Sequence, residues 1–107
     1  MPQISQSFDA ELQTLSAMIV DMGARVASQI EDAAEAMRTR NVTQASALIR
    51  ADALIDDLQM RIEERVKAMI GARRSMAADL RETIAALRIA TDLERIGDLA
   101  KNNAKRV

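Results

Sequence analysis

Four acidic residues have the types and spacing to hold a cation. Asp52 and Asp56 form one acid-x-x-x-acid pair, and Glu94 and Asp98 form another. In a helix that spacing sets both members of a pair on one face, a turn apart. Advancing about 100° per residue from Leu87, both Glu94 and Asp98 return to within about 20° of the same direction. They extend a stripe begun by Leu80, Ile84 and Leu87. Measured from Val66, Asp52 lies roughly 40° and Asp56 roughly 80° around the wheel, at the border and on the flank of a second stripe. If the chain reverses near Ser75, Asp52 and Asp98 are each 23 residues from the turn, and Asp56 and Glu94 each 19. An antiparallel hairpin then sets the two pairs level across one groove.

Such a group needs cations. A carboxylate buried without compensation costs several kcal/mol, and neighbouring carboxylates repel and raise one another's pKa values. A hard metal with oxygen ligands is one solution. The chain has no histidine or cysteine, which directs the choice to magnesium, manganese, calcium or ferric iron, with zinc less suited. Ordinary ion pairing is the other solution, with Arg50, Arg61, Arg88 and Arg95 near enough in sequence to neutralise the acids. Spacing does not choose between the two.

Absent cysteine and histidine also exclude disulfides, zinc–thiolate sites, a cysteine nucleophile and a Ser-His-Asp triad. Fifteen basic residues stand against sixteen acidic ones, a balance unlike that of a general nucleic-acid binder. No apolar run approaches a membrane span and no signal-peptide pattern opens the chain, so a cytoplasmic protein is expected.

The elements that must position the acids are helices. Ala, Leu, Ile, Met, Arg, Asp and Glu dominate, whereas Pro2 is the only proline and Phe8 the only aromatic, so helix formers face little competition. Leu12, Leu15, Ile19, Met22, Val26, Ile30 and Met37 recur at helical steps, with Ser7 as N-cap, and predict a helix over 8–39. Gly23 within it either permits close approach of another helix or is merely tolerated. Asn41 and Gln44 resemble a capping box opening a helix over 42–71, whose stripe is Leu48, Ile55, Ile62, Val66 and Met69 and whose end is set by Gly71. A third, capped by Ser75, is expected over 76–107. Equal lengths and short connections predict one all-α domain, residues 1–107: an up-down-up antiparallel three-helix bundle of long helices, spectrin-repeat-like in outline.

The third helix is apolar on a second side. Ile89, Leu93, Ile96 and Leu99 lie away from the Leu87 stripe, and a helix apolar on two sides is buried on two sides. A partner helix, a second domain or a homodimer is expected there. Lys105 and Arg106 suit a helix C-terminus, and the abrupt ending at Val107 leads to the expectation that the polypeptide continues.

The run Ala86–Asn102, with Asp92-Leu93-Glu94-Arg95-Ile96-Gly97-Asp98 at its centre and Asp79-Leu80-Arg81 before it, resembles the signature of PhoU phosphate-uptake regulators. Phe8–Leu12, Met22-Gly23 and Asp52–Glu64 resemble other parts of the same family. The resemblance implies a PhoU-like fold built from two three-helix repeats, of which this sequence matches the first. It also implies metal sites at acid-x-x-x-Asp motifs, carried over most directly to Glu94 and Asp98 and less directly to Asp52 and Asp56. The implied function is negative regulation of phosphate uptake and phosphate-starvation signalling, without catalysis, by docking to a phosphate-specific ABC transporter and a phosphate-sensing histidine kinase. Ser75 stands where the family often has proline, and Asn103 where an apolar residue is usual. Two other classes stay open on the residues alone. One is a metal-free helical oligomerisation or docking module. The other is a carboxylate-bridged metalloenzyme, which usually draws on Glu-x-x-His ligands that this chain lacks.

Overall fold

A computed structural model describes residues 2–72 and 77–107. They form three helices and no strand: α1 (Pro2–Thr39), α2 (Val42–Ala72) and α3 (Ala77–Ala104). Each packs against both others along a body measuring 57 × 17 × 16 Å. The expected all-α three-helix bundle is the fold. Among the described residues no helix is long and apolar enough to cross a membrane.

The helix ends depart from expectation in instructive ways. α1 starts at Pro2 and runs through Ser7, so Ser7 is not an N-cap; a proline in the first turn costs no hydrogen bond, because that turn has free N–H groups anyway. α2 continues through Gly71 to Ala72, and no described glycine has positive φ, so Gly71 is not a left-handed cap. Ser75 lies outside the described residues. α3 ends at Ala104 and does not reach Val107.

The α1–α2 junction is tight. Arg40 takes a left-handed φ of 54°, and the Asn41 N–H returns to the Ala36 carbonyl at 3.0 Å, the six-to-one bond that closes many helices. Asn41 then caps α2, its Oδ1 accepting from the Gln44 N–H at 3.0 Å. One residue thus ends one helix and starts the next, which fixes the reversal within two residues, Arg40 and Asn41.

Buried positions alternate at steps of three and four, the packing period of antiparallel bundles. The α2 stripe is the expected one: Leu48, Ile55, Ile62, Val66 and Met69 are all buried. On α1 the seam follows Leu15, Met22 and Val26 but then passes through Gln29, Ala33 and Ala36, leaving Ile30 and Met37 each 46% exposed. On α3 it is Thr83, Ala86, Ala90, Gly97, Ala100 and Ala104 that are buried, while Leu80 and Ile84 are exposed and Leu87 half-buried. The expected α3 stripe is therefore displaced by one residue, about 100°. Small side chains let α3 sit deep in the groove of the other two, and its large apolar groups flank the seam.

The two helical glycines within α1 and α3 differ. A Cβ on Gly23 would meet only Leu93 Cδ1 at 4.0 Å, an ordinary contact, so this glycine is merely tolerated. A Cβ on Gly97 would lie 3.0 Å from Gln29 Oε1 and 3.6 Å from Ile55 Cδ1 and Val26 Cγ2. Gly23→Ala should raise stability by up to about 1 kcal/mol through helix propensity. Gly97→Val should lower it by about 1–3 kcal/mol by overpacking. Urea unfolding of both variants measures the contrast, and equal effects would contradict this packing.

Candidate carboxylate site

Asp52 occupies a core position of α2, between Leu48 and Ile55, and is only 3% exposed. Gln29 of α1 donates from Nε2 to its Oδ1 at 3.3 Å and to the Leu48 carbonyl at 3.4 Å. Lys101 of α3 places its ammonium 3.1 Å from Asp52 Oδ2 and 3.3 Å from Asp98 Oδ1. Each oxygen of the buried carboxylate therefore accepts from a donor on a different helix. Gln29 Oε1 is buried without a hydrogen-bond partner, against the bare Cα of Gly97. With its amide nitrogen committed to two acceptors, the opposite orientation of the Gln29 amide would lose both bonds.

All four acids come together at the α2–α3 seam, as the turn-centred spacing requires. Asp52 and Asp98 share Lys101, and Asp56 and Glu94 lie half-buried beside them. Burial, followed by the charges of Asp56, Asp98 and Asp52, pushes the Glu94 carboxyl above its ordinary range, with Lys101 opposing. Burial and the Asp52 charge do the same to Asp56, where Lys101 again opposes and Asp98 adds. Hydrogen bonds to Asp52 and Asp98 hold the Lys101 ammonium charged.

The arginines do not neutralise this group. Arg61 pairs with Asp57 at 3.2 Å and Arg95 with Asp92 at 3.8 Å, both on the exposed surface. Among the described residues no arginine pairs with any of the four acids. The cation that reaches the acids is instead Lys101, one turn beyond Asp98. The signal for Gln29 is a polar residue three positions after Val26 and four before Ala33, in step with the seam.

Carboxylate oxygens are suitable donors for a hard metal, and the resemblance implies one. Among the described residues, however, no three acidic side chains gather into a group able to ligate a single ion. With Lys101 bonded to Asp52 and Asp98, the arrangement fits an ammonium better than a metal.

The described residues thus form a three-helix bundle with a buried carboxylate tied across all three helices. The PhoU domain family matches residues 19–107, and this chain belongs to that family. It is 40% identical over 104 residues to the phosphate-specific transport system accessory protein PhoU homolog of Rhizobium meliloti, covering 97% of this chain and 44% of that protein. The homolog from Caulobacter vibrioides is 41% identical over 101 residues, covering 94% and 44%. That of Clostridium acetobutylicum is 36% identical over 101 residues, covering 94% and 46%. The chain thus spans less than half the length of these curated relatives.

The raised carboxyls set a pH dependence. A carboxyl whose folded pKa exceeds its unfolded value binds protons more readily when folded, so it opposes folding above the raised value and stops doing so as pH falls through it. Asp56→Asn and Glu94→Gln should each raise stability at neutral pH, seen as a higher Tm. The gain should fade in acid, as the raised carboxyls of the parent become protonated. Thermal melts across pH check this, and a loss of stability at neutral pH in chelator would contradict it.

Proposed function

We propose that this chain is a non-catalytic regulatory domain of phosphate transport that works by docking its helix faces. In this reading it is cytoplasmic, and it restrains phosphate uptake and the phosphate-starvation response when phosphate is plentiful. Its partners are a phosphate-specific ABC transporter and a phosphate-sensing histidine kinase. Family membership supports the reading, as does the naming of its relatives as accessory proteins of the phosphate-specific transport system.

The observation that carries docking is a groove between α1 and α3. Ile30 and Met37 form one wall, Ile96 and Leu99 the other, with Ala33 and Ala100 among the residues between them. Leu99 is 64% exposed. Large apolar groups displaced from the core at this density mark an association surface rather than scattered exposure. The expected second apolar face is present in Ile89, Ile96 and Leu99, but Leu93 leaves it to pack partly against the core. Asn103 lines the lower end of the groove, where an apolar residue would have extended it. In the absence of other partners, a second copy of the chain is the occupant we expect.

Sedimentation of the isolated chain should give a dimer, and Ile96→Glu/Leu99→Glu a folded monomer. The same double variant should weaken capture of the transporter by about tenfold or more. Glu35→Ala and Arg38→Ala, which remove an exposed ion pair of 2.6 Å, should leave capture unchanged. Capture that fails in these alanine variants and survives in the glutamate variant would refute this placement.

A further inference from the structure

We infer that Lys101 is the resident cation of the α2–α3 carboxylate seam, so that this domain closes its acidic groove with its own ammonium and folds without a bound metal. The inference departs from the expectation of a metal that the resemblance carries, and it is independent of the docking proposal. It rests on where the donors are. Asp52 is almost wholly buried, and a carboxylate there needs a positive partner and a donor for each oxygen. Gln29 supplies Oδ1 and Lys101 supplies Oδ2. The same ammonium reaches Asp98, so one positive charge is shared between one acid from each pair.

The Lys101 side chain is only 22% exposed, so its stem lies along the bundle and its head reaches inward to the acids instead of outward to water. A metal ion bound to both Asp52 and Asp98 would compete with that ammonium for the space between them. Among the described residues Lys101 is the one cationic group paired with any of the four acids, and Arg61 and Arg95 hold other acids. Asp56 and Glu94 remain only partly compensated, but they are half-solvated, and water meets part of their demand.

The test is thermal unfolding by circular dichroism of the full chain, purified without a metal-affinity tag. The parent, Lys101→Met and Asp52→Asn/Lys101→Met are each melted in chelator and in millimolar manganese or magnesium. The parent should melt at one temperature in all these solutions. Lys101→Met in chelator should lose about 10 °C or more, because it strands a buried charge. The double variant removes the charge along with its partner and should recover most of that loss; it keeps the test decisive if Lys101→Met does not fold. A parent Tm that rises by several degrees with manganese or magnesium would overturn the inference. So would a Lys101→Met that melts with the parent in chelator, or a double variant no more stable than Lys101→Met.

Discussion

A charged carboxylate at a core position is the constraint from which the rest of this bundle follows. Asp52 lies where the α2 seam would otherwise carry a leucine or isoleucine, and it is closed off from water. A buried charge is tolerable only if each of its oxygens is met. Since the neighbouring α2 core positions hold Leu48 and Ile55, the donors come from the other helices. Gln29 on α1 and Lys101 on α3 provide them, and the glutamine fits because Gly97 presents no side chain against it. Sliding any one helix by a turn would break this arrangement, whereas a purely apolar seam tolerates such slips. A single polar layer of this kind favours one register over its neighbours, as buried polar groups do in coiled coils.

The same geometry accounts for the odd distribution of apolar side chains. The α3 seam is made of threonine, alanine and glycine, which bring its backbone close to α1 and α2. Larger groups on α3 then have no room inside and line its flanks. Ile89, Ile96 and Leu99 stay on the outside, and on α1 the presence of Gln29 in the seam turns Ile30 and Met37 outward to meet two of them. Core packing and association surface are therefore two outcomes of one choice: small residues inside, large ones beside them.

Much of this was legible in the residues. Helix number, the α2 seam and the Asn41 cap follow from periodicity and capping chemistry, and the pairing of Asp52 with Asp98 follows from distance to the turn. What escaped did so for definable reasons. Reading a stripe by hydrophobicity favours isoleucine over alanine, so it placed Ile30, Met37, Leu80 and Ile84 inside and passed over Ala33, Ala36, Ala86 and Ala90. Only packing distance shows that the smaller residues own the seam. Gln29 and Lys101 were invisible as partners because their roles depend on a carboxylate three-dimensionally close but remote in sequence. Ser7 and Gly71 carried end signals that the helices overrode, since a local preference of about 1 kcal/mol yields when continued helix is packed. Arg40 shows the converse, a left-handed residue with no glycine to announce it.

The polar layer also divides the interior. Above it lies a cluster rich in leucine, isoleucine, valine and methionine; below it, toward the α1–α2 junction, Ala33, Ala36, Ala45, Ala100 and Ala104 surround Leu48. Alanines bury little apolar surface each, so the lower half holds a smaller share of the free energy of folding. It is the half expected to open first in sub-global fluctuations, with amide hydrogens there exchanging ahead of those in the upper half. The α1–α3 groove overlies this half, since Ala33 and Ala100 belong to both. A partner seated there would tighten the softest part of the molecule, and association would be felt as a slowing of breathing across the lower bundle before any change of shape.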